Sequence, residues 1–400
     1  MSRTVLLTSS AIGAVASAMV PLGALFLLDV SDFGAFSLCY LVFAWGWSIE
    51  LSTICDTWAR ERAHRPSMSW PKYASALTQL SLAGAIVAIG LGIPTYGSVA
   101  PALLTAVATA AAMYRLGGRF HHAATSRSRS VLLSDVVCVL TFAMLVSVLA
   151  GSGAATRLDS LLIAWASSGL LSCFFFPAPG MMRAGGLRDW YRLHRRTIRP
   201  LLGESLMMDA GSIGTPMIMS PLLGLSNFGI YRSVSSVSLP VQLIIDPIRP
   251  NLSQMPARTL LGRTAALVVL GGAALLGSGA YVALVLLAPV LSTVSPVLGE
   301  LGAHALACGI FVSVAFVGYY LYIAARAHVR HENLIRGRAV QTLFALASPM
   351  TGLLLGGLPG AIWGFVAANT ATPLIWLLLL RRESGARALR RTQSHVGSEH

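Results

Sequence analysis

The chain places few charged residues inside its long apolar runs, and those few are where its chemistry would be done. Arg232 is the only basic residue in the interior of such a run. A guanidinium binds phosphate or carboxylate oxygens two at a time, so Arg232 is a candidate contact for a diphosphate or an anionic sugar. Its other reading is a salt bridge to an acidic neighbour. Asp209 lies nine residues after Pro200, roughly 13 Å along a helix rising ~1.5 Å per residue, near mid-membrane. Gly211, Gly214 and Pro216 follow it and predict a bend. An acid beside a bend can take up a proton or a sodium ion, or can neutralise an arginine. Glu50 and Asp246 fall at similar depths in the two halves of the chain. They are candidates for ion coupling or for flanking the inner mouth of a cleft, although Asp246 has a local partner in Arg249. Glu204 joins the coupling or gate candidates, with water or Arg196 and Arg199 within its reach. Asn227 and Asn369 complete the polar candidates for substrate contact, interhelical hydrogen bonding being the ordinary role of such a group. Asp135, beside Arg127 and Arg129, reads as an end-of-helix charge.

None of this makes a catalytic constellation. There is no metal-ligand spacing and no phosphate-cradling glycine loop with a lysine. The five cysteines lie in or at the ends of apolar runs without a Cys-x-x-Cys, and read as small apolar fillers. No cofactor is expected, and no nucleotide site. Any energy must come from a proton or sodium gradient, the membrane potential or downstream consumption. The reading is a transporter rather than an enzyme.

The elements that position these residues are membrane spans. Of 400 residues 55% are hydrophobic and 11% charged, with mean hydropathy +0.70, whereas a soluble domain is roughly 25% charged. The net charge of +14 comes from 28 Arg and one Lys. They fall in short clusters between apolar runs, which argues for a topology signal and against a nucleic-acid partner. A span needs about 20 mostly apolar residues, and the runs are 5–27, 33–56, 73–94, 97–115, 131–151, 158–178, 200–223, 227–248, 264–289, 302–325, 339–357 and 360–380. Alternate connections hold 27 of the 29 basic residues on one side, Arg157 alone on the other, and Arg232 within a span. Basic loops stay in the cytoplasm, so both termini are expected there. The first run imitates a signal peptide, but the eleven that follow predict that it is retained. Within residues 186–199 Leu187, Trp190, Tyr191, His194 and Ile198 share one helical face, which predicts an interfacial helix lying on the cytoplasmic leaflet or anchoring the two halves. The Arg-rich tail 381–400 reads as disordered.

An internal repeat divides the chain. Leu28-Asp-Val-Ser-Asp-Phe-Gly-Ala-Phe36 matches Leu223-Gly-Leu-Ser-Asn-Phe-Gly-Ile-Tyr231 at an offset of 195, and the register extends upstream through Ser17/Ser212 and Pro21/Pro216. Six spans separate the copies, an even number that keeps them in one orientation. The expected fold is therefore an all-α polytopic membrane protein of about 12 transmembrane helices, in two parallel six-helix lobes around a central cleft. The N-terminal lobe takes 1–185, the linker helix 186–199, the C-terminal lobe 200–380 and the tail 381–400.

The repeated Ser-[Asp/Asn]-Phe-Gly-x-[Phe/Tyr] element resembles the start of the second helix in polysaccharide flippases, members of the multidrug/oligosaccharidyl-lipid/polysaccharide exporter superfamily. Gly229-Ile-Tyr-Arg-Ser-Val-Ser-Ser-Val237, with Leu239-Pro240, is similar to the matching element of their second lobe. Gly118-Arg-Phe-His-His-Ala-Ala-Thr-Ser-Arg-Ser-Arg129 resembles their basic loop between helices four and five. The resemblance implies alternating-access translocation of polyprenyl-diphosphate-linked saccharides across a bacterial cytoplasmic membrane, for cell-envelope polysaccharide biosynthesis. Membrane lipids and a glycan polymerase or glycosyltransferases would be its partners. Related flippases for the peptidoglycan precursor usually have fourteen spans, which places this chain nearer the polysaccharide branch. Related drug exporters often couple through an acid in the first helix, and residues 5–27 contain none. The alternatives are an ion-coupled drug or metabolite antiporter of the same fold, or a non-transporting membrane protein of glycan assembly.

Overall fold

The structure, a computed structural model, describes residues 3–62, 69–125, 127–153, 156–177, 186–242, 244–245, 252 and 255–396. Helix α1 spans Arg3–Leu27 and α2 spans Val30–Arg62, the latter interrupted by a π-helical turn at Leu51–Cys55. Then come α3 (Trp70–Tyr96), α4 (Val99–Ala124), α5 (Ser128–Ser152) and α6 (Arg157–Cys173). Helix α7 (Gly186–Asp209) runs through a second π turn, Ala210–Gly214, into α8 (Thr215–Ser236). The remainder are α9 (Ala257–Leu260), α10 (Arg263–Val294), α11 (Pro296–Ala303), α12 (Ala305–His328) and α13 (His331–Val396).

Seven of the described helices are long and apolar enough to cross a membrane, by length and composition. Shorter helices such as Ile12–Leu27, and breaks within two of the longer helices, account for the rest of the about twelve segments. Helix α8 is broken at Gly224, whose φ of 72° and ψ of 162° only glycine adopts easily. Helix α13 folds at Gly356–Gly357, in line with the division expected between 339–357 and 360–380. The chain is a multi-pass, all-α membrane protein.

Two expectations change. Helix α4 does not end at 115 but runs to Ala124, which draws Arg115 and Arg119 out of a loop and into a helix. The residues after 381 continue α13 to Val396 instead of being free of structure.

The chain divides into two compact units, Met1–Asp209 with Pro216–Gly229, and Ala210–Thr215 with Ile230–His400. The first therefore does not stop at the expected linker. Within it α1 packs on α5 and α6, α2 on α3 and α4, and α4 on α6. Helix α7 lies along α3 and the π turn of α2. Trp190, His194, Ile198 and Leu201 form its buried stripe, meeting Ile54, Trp58, Tyr73 and Leu77. This corrects the expected interfacial face: the stripe is covered by protein, and Tyr191 stands 41% exposed outside it. Trp190 Nε1 donates to the Thr53 carbonyl at 2.9 Å, and Glu61 accepts from Thr197 Oγ1 at 2.9 Å and lies 2.6 Å from His194 Nδ1.

The repeat has a counterpart in this unit. Leu28 and Leu223, and Phe33 and Phe228, are buried at matching positions. The break between α1 and α2 at Asp29 corresponds to the kink at Gly224. Gly34 and Gly229 mark where the two matched segments cross. A Cβ at Gly34 would strike the Leu225 carbonyl, and a Cβ at Gly229 would strike that of Val30. Val30 and Leu225 are themselves related by the offset of 195, so the contact is reciprocal and admits only glycine at its centre.

In the second unit α12 packs between α10 and α13, around Tyr320, Leu321, Ala324, Trp376 and Leu380. Residues 210–214 lie against α13, and Thr215 Oγ1 donates to the Ala345 carbonyl at 3.1 Å.

Candidate functional site

Glu50 closes the regular part of α2, immediately before the π turn. Its side chain is fully buried (0% exposed) among α3 and α4. One oxygen accepts from Ser81 Oγ at 3.3 Å, while Oε1 has no hydrogen-bond partner among the described residues. No cation pairs with it there either. Gly117 on α4 makes room for the carboxyl, since a Cβ at that position would lie 2.8 Å from Oε1. Close by, Tyr73 Oη donates to the Gly117 carbonyl at 2.9 Å and sits 3.1 Å from Cys55 Sγ.

A π turn carries one extra residue and disturbs the backbone ladder, so its carbonyls need other donors. Hydroxyls supply them. Thr53 Oγ1 and Ser52 Oγ donate to the Ile49 carbonyl at 2.6 and 3.0 Å, and Thr57 Oγ1 donates to that of Ser52 at 3.0 Å. Trp190 of α7 takes the Thr53 carbonyl. The serine and threonine content of 52–57 is thus the local reason this segment holds a π turn beside a buried acid.

Asp209 repeats the arrangement. It is the last residue of α7 before the second π turn, where the sequence predicts a bend. Its side chain is buried (4% exposed) beside Ser48 of α2, and Oδ2 has no partner among the described residues. Ser48 Oγ also lies 2.7 Å from Ser205 Oγ, so a polar seam joins α2 to α7.

The other predicted residues are placed differently. Arg232 is half-buried, and its Nη1 donates to Ser235 Oγ at 2.7 Å. Asn227 is exposed and returns its amide to the Leu223 carbonyl at 3.2 Å, spanning the Gly224 kink. Asn369 donates to the Phe365 carbonyl one turn back at 2.9 Å. Glu204 is half-buried and has no ion pair among the described residues. Asp246 lies outside the described residues. Glu50, expected beside an open cleft mouth, is instead sealed within the first unit.

One cluster escaped the sequence reading. Asp135 is no end-of-helix charge. It is fully buried, and it binds Arg115 Nη1 through Oδ1 and Arg119 Nε through Oδ2, each at 2.9 Å. Arg115 is 5% exposed and Arg119 30%. The i, i+4 spacing of the two arginines was the available signal, lost when α4 was ended at 115.

Chemically, the unit offers two buried carboxyls without a cationic partner and one buried cluster with positive charge in excess. Both suit the binding of small ions or anionic groups. A cavity of about 420 Å³ near Leu38, Leu91, Met217, Ser220 and Leu225 is almost wholly apolar and offers no such charge.

No protein-family model and no curated relative matches the chain. Solved structures do match its fold. An inward-facing multidrug resistance MATE family transporter of the MOP superfamily superposes with a TM-score of 0.63 at 12% identity, covering 94% of this chain and 96% of that one. Lipid II flippase MurJ, in an inward closed conformation, gives a TM-score of 0.64 at 10% identity, covering 95% and 88%. A MOP superfamily transporter from Pyrococcus furiosus, reported to have a binding pocket of reversed polarity, gives 0.52 at 13% identity, covering 96% and 99%. The chain has the fold of these transporters.

Proposed function

Starting from that transporter fold, we propose that the chain is a flippase translocating polyprenyl-diphosphate-linked oligosaccharide or polysaccharide precursors across a bacterial cytoplasmic membrane. The observation that carries the reading is the fold shared with a lipid II flippase. The repeated Ser-[Asp/Asn]-Phe-Gly element adds the polysaccharide branch of the resemblance. The alternation of 27 basic residues on one side supports cytoplasmic termini.

Glu50 and Asp209 are the groups assigned to coupling. A carboxylate buried in a membrane needs a proton, a small cation or a fixed positive partner. With no positive partner among the described residues, a proton or sodium ion is the natural counter-charge. Each acid borders a π turn, a local geometry that recurs at functional sites.

Reconstitution tests the reading. Liposomes containing the purified chain should move a fluorescent polyprenyl-diphosphate oligosaccharide between leaflets, read by quenching from outside. A second reading, an ion-coupled drug antiporter, is favoured by the likeness to a multidrug resistance transporter. Gradient-driven uptake of a cationic dye with no movement of the labelled saccharide lipid would replace the first reading by the second.

A further inference from the structure

We infer that Arg119, fixed by Asp135 and backed by Arg115, is a docking point for the diphosphate group of a lipid-linked substrate. The inference rests on the flippase reading and adds the site that would hold the cargo's charge.

Charge balance comes first. Two guanidiniums share one carboxylate, so the cluster carries one positive charge in excess. Arg115 and Asp135 alone would be a neutral, buried and self-sufficient pair. Arg119 is the surplus member, and burying an uncompensated charge in a membrane is costly. A structure that keeps such a charge gains from an anion that neutralises it.

Geometry comes second. Asp135 engages Arg119 through Nε only. The terminal nitrogens of Arg119 make no hydrogen bond among the described residues, which leaves the forked end of the guanidinium available. That end lies against Gly13 of α1, where a Cβ would strike Nη2 and sit 2.9 Å from the guanidinium carbon. The absence of a side chain at Gly13 gives the fork its space. A fork held from behind by its Nε is preorganised for two-point contact with phosphate oxygens.

Depth comes third. Arg119 lies five residues before the end of α4, roughly 8 Å from that end and about 11 Å from the helix midpoint at ~1.5 Å per residue. That is just inside the edge of a hydrocarbon layer about 30 Å thick, where an arginine can reach the phosphate level. The diphosphate of a membrane-embedded prenyl chain lies at that phosphate level, within reach of such an arginine.

The test uses the purified full chain in nanodiscs of zwitterionic lipid. Polyprenyl diphosphate is the probe, and phosphatidylglycerol and inorganic pyrophosphate are the comparisons. Binding is read by native mass spectrometry and by ligand-induced thermal shift. The expected result is tight binding of polyprenyl diphosphate by the wild type and at least tenfold weaker binding by Arg119→Gln, with Arg119→Lys between them. Arg119→Gln keeps the neutral Arg115–Asp135 pair and so should fold. If it does not stay monodisperse, Gly13→Ala tests the same fork by crowding it and should also weaken binding. Unchanged affinity in the variants overturns the inference. So does phosphatidylglycerol binding as tightly as polyprenyl diphosphate, or no binding of polyprenyl diphosphate by the wild type. Failure of the flippase reading looks different: polyprenyl diphosphate binds at Arg119, yet the wild type moves no labelled saccharide lipid in liposomes.

Discussion

Replacing Asp135 by asparagine should strongly destabilise the first unit, and the structure sets the size of the effect. The wild-type carboxylate is wholly buried and holds two guanidiniums at 2.9 Å each. Asparagine keeps the shape but removes the negative charge. Arg115, 5% exposed, is then left charged with nowhere to go, whereas Arg119 can turn partly toward its open side. Breaking a buried ion pair by removing one partner costs about 3–5 kcal/mol, a large part of the 5–15 kcal/mol typical of a folded domain. The assay is thermal unfolding in detergent, followed by fluorescence-detected size exclusion. Asp135→Asn should melt far below the wild type. Adding Arg115→Gln restores the original excess of one charge, so the double variant should recover most of the loss. An Asp135→Asn chain that melts with the wild type, or a double variant worse than either single one, would refute the buried-charge argument.

Three further outcomes are expected. Glu50→Gln should leave folding intact and abolish the dependence of transport on a proton or sodium gradient, measured in liposomes with the gradient collapsed or imposed. Gly117→Ala brings a methyl group onto Glu50 Oε1 and Leu77; overpacking of this kind costs about 1–3 kcal/mol, read as a lowered melting temperature that Glu50→Ala partly rescues. Gly34→Leu must push two backbones apart at the crossing with Gly229, and it should destabilise the chain more than Gly90→Leu, whose Cβ would meet open space.

The fold was readable because membrane spans and basic loops write themselves in composition. The 195-residue repeat went further, since Gly34 and Gly229 proved to meet where the motif repeats. That the helix turns irregular after Asp209 was legible in Gly211, Gly214 and Pro216, although the irregularity is a π turn. The π turn after Glu50 was not, because its cause lies in hydroxyls at 52, 53 and 57 and in an indole from α7, partners more than 130 residues apart in sequence. The site was harder to read than the fold for a related reason. Burial decides which charges matter, and apolar runs locate burial only along the chain. Asp135 stood near Arg127 and Arg129 in sequence, yet it is met by Arg115 and Arg119 from the preceding helix. The linker face failed in the same way: an amphipathic stripe states that something covers it, and a protein groove serves as well as a lipid surface.

Helix α7 ties the two irregular turns into one mechanical element. Trp190 near its start grips the carbonyl of Thr53 in the first turn, and Asp209 at its end opens onto the second. Nineteen residues separate them, a helical path of roughly 29 Å at ~1.5 Å per residue. Each π turn stores one residue of slack, and releasing it to α-helix would rotate everything beyond by about 100°. A helix that grips one such turn through an indole and runs directly into the other leaves an acid beside each store of slack, Glu50 at the first and Asp209 at the second.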